Sequence, residues 1–138
     1  MGIRRKGREM ALQALYQVEI TRDASGRALD LFFSHFDGSL KAKDFARSLV
    51  SGVLAHKDEI DRLIRGAAEN WKISRMAKVD LTILRMASYE MLFCPDIPIN
   101  VTMDEAIEIG KRYGSGESST FINGILDQIA AAGHVKSF

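Results

Sequence analysis

Only two prolines, Pro95 and Pro98, occur in the 138 residues, and they stand almost side by side. Long proline-free stretches on both sides favour helices over a turn-rich β fold, because proline removes a backbone donor and interrupts regular structure. Hydrophobic spacing agrees. From about Arg5 to Arg22, Met10, Ala11, Ala14, Leu15 and Val18 recur at helical intervals and form one apolar stripe. Asp23 to Gly26 reads as a turn, with Gly26 expected to supply the positive φ of a helix exit. A short amphipathic piece, Leu29 to Phe33, stops at Asp37-Gly38. A longer helix is predicted from Lys41, with Phe45, Leu49 and Val53 one turn apart and a break near His56 before Ile60, Leu63 and Ile64.

The second half follows the same period. Trp71 is expected to plug a junction between helical layers. Val79 to Phe93 is apolar over most of its circumference, as a central helix must be. It should end before Cys94-Pro95, since a residue preceding proline is driven out of the α region. Thr102 and Glu105 have the spacing of a capping box, predicting a helix that carries Ala106, Ile107 and Tyr113. Gly114-Ser115-Gly116 breaks the chain, and Ser118 or Ser119 can cap a last helix bearing Phe121, Ile122, Ile125, Leu126 and Ile129. Sustained period-2 alternation is absent. The prediction is an all-α fold of six or seven helices in a single domain.

Cys94 is the lone cysteine, which excludes an intramolecular disulfide and suits a reducing cytoplasm. No apolar run approaches the ~18–20 residues that span a bilayer, so no membrane association is expected. Charge is more informative. The formal net charge is +1, yet four of the 19 cations, Arg4, Arg5, Lys6 and Arg8, fall within the first eight residues. The remaining 15 cations face 18 carboxylates. A positive end on a mildly acidic body suits phosphate, because clustered Arg and Lys displace condensed counterions. Standing before a helix, such an arm could stay mobile until nucleic acid orders it; a solvated tail is the alternative. Tyr16, two turns past Arg8, is either a base-stacking residue or a half-buried packing residue.

Catalytic and metal chemistry find no support. His35, His56 and His134 are far apart in sequence, with no H-x-x-x-H or C-x-x-C spacing. The segment Gly114 to Ser119 lacks the P-loop pattern, and Glu117 would repel phosphate. No G-x-S-x-G elbow is present. No cofactor, metal or catalytic residue is predicted.

Four ordered blocks resemble a known family. They are Arg4-Arg5-Lys6-Gly7-Arg8-Glu9 leading into Ala11-Leu12-Gln13-Ala14-Leu15-Tyr16-Gln17, and Ala46-Arg47 to Leu49 with Val50-Ser51-Gly52-Val53. They continue with Val79-Asp80, Ile83 to Glu90, Asp96-Ile97-Pro98 and Asp104 to Glu108, and close with Lys111 to Gly114 and Ser118 to Leu126. Along nearly the whole chain this resembles the NusB transcription antitermination factors. The resemblance implies two three-helix-type bundles packed roughly perpendicular, an N-terminal one over about residues 1–70 and a C-terminal one over about 71–138. It also implies binding of boxA-type single-stranded RNA together with ribosomal protein S10 (NusE). That assembly would help RNA polymerase resist termination, notably in ribosomal RNA operons. By matching position, Arg4, Arg5, Lys6, Arg8, Tyr16, Glu117 and Phe121 would meet RNA, and Tyr89 and Glu90 would meet S10. Some members self-associate, so a homodimer and a monomer both remain open. Gly7 departs from the family pattern and is expected to loosen the arm's helix; Thr120 stands where a lysine is frequent. A related helical module occurs as the RNA-binding part of RNA methyltransferases, which would require a catalytic domain beyond Phe138, and a protein-binding scaffold is a further alternative.

Overall fold

The computed structural model describes residues 2–133, and His134 and Phe138 lie outside the described residues. Its element order is α1 (Ile3–Thr21), α2 (Gly26–Ser34), α3 (Leu40–Ala55), α4 (Lys57–Ala67), α5 (Lys78–Phe93), α6 (Ile99–Tyr113) and α7 (Ser118–Ala131), with one 3-10 turn at Ile73–Arg75. The all-α expectation holds, with seven α-helices and no strand among the described residues. None of these helices is long and apolar enough to cross a membrane.

Local chemistry explains most of the boundaries. Ser25 and Ser39 each accept a hydrogen bond from the backbone N–H three residues on, at 3.1 and 3.3 Å, and so cap α2 and α3. The expected break at His56 separates α3 from α4. Cys94 leaves the helical region before Pro95, ending α5 as predicted. Three local expectations are corrected. The left-handed exit from α1 is made by Arg22, at φ 61°, whereas Gly26 opens α2. The helix predicted to start at Thr102 starts a turn earlier at Ile99, which puts Thr102 and Glu105 inside it, where each bonds across to another helix. Ser118 does not cap α7; its Oγ accepts the backbone N–H of Ser115 at 2.8 Å and holds the preceding turn.

Helix α5 is the organising element. It packs against α1, α3, α4, α6 and α7. Every residue from Asp80 to Ser88 is buried, and only Tyr89 interrupts the buried run before Met91. A single apolar core joins residues of all seven helices, from Met10, Phe33, Val50 and Ile64 to Leu84, Ile109 and Leu126. Trp71 is not in it. Its side chain is 54% exposed, resting edge-on against Phe121, so the expected interior plug is an exposed aromatic.

The most extensive helix pairing, α1 on α3, depends on a small residue. A Cβ on Gly7 would lie 2.7 Å from Phe45 Cδ2 and 3.0 Å from the Ala42 carbonyl oxygen. Gly7 therefore admits the neighbouring helix and leaves α1 continuous, which corrects the expectation of a loosened arm. A Cβ on Gly52, in α3, would likewise overlap the Tyr89 ring of α5. Replacing Gly7 with Ala should destabilise the chain by about 1–3 kcal/mol, the range for overpacking, despite alanine's better helix propensity. Urea unfolding measures this, and an unchanged midpoint would show that the α1–α3 contact is not tight.

Candidate RNA interface

The basic run forms the first turns of α1, and its four cations have four different environments. Arg8 is 4% exposed. It grips the buried carboxylate of Glu90 with both arms of its guanidinium, Nε to Oε2 at 2.9 Å and Nη2 to Oε1 at 2.8 Å. Thr102 Oγ1 donates to the same Glu90 Oε1 at 2.9 Å. Arg5 makes a similar fork to Glu105, with Nε 2.8 Å from Oε1, and Arg8 Nη1 lies 3.4 Å from that Oε1. Arg4 reaches Asp96 at 3.0 Å, a pair open to solvent. Lys6 alone of the four is exposed with no ion pair to the described residues.

The arm is therefore a strut tying α1 to α5 and α6. This corrects the expectation of a mobile cationic tail. The physical reason lies far along the chain: buried Glu90, bonded to buried Thr102, and half-buried Glu105 supply carboxylates that engage these arginines, and a bidentate Arg–carboxylate pair shielded from water is hard to replace with an exposed phosphate contact. Arg8 and Glu90 are consequently paired to each other with almost no side-chain surface exposed. Arg5, partly covered, has its guanidinium committed to Glu105.

The outward face of α1 carries what remains. Lys6, Gln13, Tyr16, Gln17 and Ile20 are all exposed and recur at helical spacing, with Tyr16 39% exposed. Beside this face, Arg112 at the end of α6 pairs with Glu9 at 3.1 Å, and Tyr113 follows it, 36% exposed. The short turn from Gly114 then leads to Glu117, which is exposed and makes no side-chain cap to α7. Phe121 sits one turn further, half-buried, with its ring 5.6 Å from that of Trp71. Arg112, Tyr113 and Trp71 were not singled out as site residues by sequence reading; an Arg-Tyr pair ahead of a Gly-Ser-Gly turn was the available signal for the first two.

Tyr89 occupies a separate place. It packs over Gly52 and, with His56 and Phe93, forms an aromatic cluster in which the His56 and Phe93 rings stack at 4.1 Å. Burial holds its hydroxyl above the usual tyrosine range. At the other end of α1, a second buried fork joins Arg85 to Asp61 at 2.8 and 2.9 Å, with Glu19 3.2 Å away. Among the described residues no group of three or more His, Cys, Asp or Glu is placed to hold a metal ion.

The NusB family pattern matches residues 5–131. The chain belongs to the NusB family. It is 52% identical over 132 residues to the transcription antitermination protein NusB of Geobacter sulfurreducens, covering 95% of this chain and 96% of that one. The NusB of T. maritima superposes with a TM-score of 0.84 at 44% identity, covering 93% of this chain and 90% of that one. A NusB solved with NusE and double-stranded RNA shares the fold at a TM-score of 0.83 and 23% identity, covering 96% of this chain and 98% of that one. The NusB-like all-α fold expected from the sequence is thereby borne out, and the relatives are transcription antitermination factors rather than enzymes.

In this NusB-family chain, replacing Arg8 with Ala should cost about 3–5 kcal/mol, the range for orphaning one member of a buried ion pair. Arg8→Lys should recover little, since an ammonium cannot span both carboxylate oxygens. Chemical denaturation measures both, and a loss near zero for Arg8→Ala would exclude the strut. The hydrogen bond from Arg5 holds the Glu105 carboxyl below the ordinary value of 4.5. A lowered folded-state pKa contributes stability that is complete above that value and is lost as pH falls through the lowered one. Stability measured against pH should therefore lose part of its acid-side decline, below about pH 4.5, in Glu105→Gln. An identical decline in the variant would assign the acid sensitivity to other carboxylates.

Proposed function

We propose that this chain is a transcription antitermination factor that binds boxA RNA together with ribosomal protein S10 (NusE) and helps RNA polymerase resist termination, notably in ribosomal RNA operons. The observation that carries this reading is half-identity, over almost the full length, to transcription antitermination proteins. The NusB of like fold solved with NusE and double-stranded RNA supports the two partners. Its setting would be the cytoplasm, where nascent transcripts are made.

Geometry narrows the RNA contacts. With Arg5 and Arg8 held by carboxylates, Lys6 becomes the principal phosphate contact of the basic run, and Arg4 a second one if RNA displaces the exposed Asp96. Tyr16, on the same helix, offers a ring to an unpaired base, and base–aromatic stacking contributes without demanding one sequence. Glu117 cannot help phosphate affinity, but its carboxylate can accept from a base amino group and so discriminate among bases. Phe121 extends the aromatic surface beyond it. Tyr89 is the candidate S10 contact of α5, because Glu90 points inward.

So few free cations in the basic run predict weak RNA binding by the chain alone, tightened by S10. Titrating boxA-type RNA with and without S10 at two salt concentrations tests this, and no gain from S10 would favour a scaffold role. Lys6→Ala should reduce the slope of log affinity against log salt by about 0.7, the single-strand value per phosphate contact. Arg8→Ala should act through folding instead. An unaltered slope in Lys6→Ala would move the phosphate contact elsewhere.

A further inference from the structure

Folding redistributes the available positive charge. Three of the four cations at the N-terminus have carboxylate partners. The stretch from Arg62 to Lys78 also carries a net +4, from Arg62, Arg65, Lys72, Arg75 and Lys78 against Glu69 alone. Of these cations only Lys78 is paired among the described residues, to Glu19 at 3.7 Å. Four unpaired cations among the described residues therefore fall between the middle of α4 and the start of α5, away from the basic run that dominates the sequence.

Trp71 stands in this stretch, beside Arg65 and Lys72. Tryptophan is seldom left in water without a use, and this one is 54% exposed. It is nonetheless held: the ring meets Phe121 at 5.6 Å and 77°, an edge-to-face contact, and the Trp71 backbone N–H donates to the Ala68 carbonyl at 3.1 Å. Arg65, Glu69, Asn70 and Lys72 line the same open hollow of about 650 Å³. A fixed aromatic ring, two unpaired cations and an amide that both donates and accepts are the components for an unpaired nucleotide. The ring stacks on the base, the cations hold phosphate, and Asn70 and Glu69 can read a base edge.

We infer that Trp71 is a stacking platform for an unpaired RNA base, with Arg65 and Lys72 holding the adjoining phosphates; this rests on the RNA-binding function proposed above. Phe121 links the two regions, since it supports Trp71 and follows Glu117 by one turn of α7. The RNA path then runs past the α6–α7 turn towards the α4–α5 connection.

Trp71 is the chain's one tryptophan, so its emission reports this site directly. Titrating the full chain, in the presence of S10, with short single-stranded boxA-type RNA should quench that emission with the same midpoint as the anisotropy of labelled RNA. Trp71→Ala should weaken binding about 5- to 150-fold, the stacking range per base, while Trp71→Phe retains most of the affinity. Arg65→Ala with Lys72→Ala should lower the salt slope by roughly 0.7 for each phosphate that the two side chains neutralise. Matching thermal melts exclude misfolding of the variants. Unchanged emission at RNA saturation, or wild-type affinity in Trp71→Ala while Lys6→Ala still weakens binding, overturns this site and leaves the RNA-binding function standing. Failure of the unaltered chain to bind RNA, with S10 supplied, overturns both. Emission that shifts with S10 alone, or with rising concentration of the chain itself, assigns Trp71 to a protein contact and overturns the inference.

Discussion

The fork between Arg8 and Glu90 governs how this molecule can be used. Two charges taken out of water are tolerated only when each oxygen and each donor finds a partner, and Thr102 donates a further bond to the carboxylate. Once formed, the fork sets the angle at which α1 meets α5 and α6. It also positions Arg5 against Glu105, and it fixes which side of α1 looks outward. The close approach of α1 to α3 through Gly7 completes the constraint from the other side. A first helix fixed on two sides follows, and its outward face rather than its charge is what it leaves exposed.

This arrangement separates structural arginines from functional cations. A carboxylate on a neighbouring helix neutralises a buried arginine, whereas a lysine on the solvent side remains available to any passing phosphate. The same separation recurs at the far end of α1, where Arg85 is held by Asp61 and Glu19. The Arg8–Glu90 fork thus fixes α1 near its start, and Arg85, itself forked to Asp61 of α4, holds α1 near its end through Glu19. Under the proposed function, RNA recognition would fall to modest numbers of exposed groups, and a second protein would supply the rest of the affinity.

Much of the fold was legible because its signals are local. The stripe of Met10, Ala14 and Leu15, the break at His56, and the stop before Pro95 all express helical period or backbone sterics within a few residues. Errors occurred where one residue serves a distant neighbour. Thr102 and Glu105 have capping-box spacing, yet their side chains bond to residues 12 and 100 positions away. Gly7 looked like a weak point in a helix and is instead the space into which Phe45 fits. Trp71 had the composition of a core residue, and the core closed without it. Of the candidate site, Tyr16, Glu117 and the exposed Lys6 were readable from position on a helix or in a turn, but Arg112 and Tyr113 stood out only once α6 ended beside Glu9.

By itself, the amino-acid order determined the all-helical class and most helix positions, the central place of the Val79 to Phe93 helix and the family to which the chain belongs. Those properties depend on periodicity, turn chemistry and ordered motifs, all of which survive in one dimension. Tertiary structure decided which charges are free. Arg8 and Glu90 lie 82 residues apart. Their pairing depends on two helices reaching van der Waals contact and excluding water, a condition no local pattern encodes. The basic run written at the start of the chain thus became largely a support, while Arg65 and Lys72 beside Trp71 have no ion pair among the described residues.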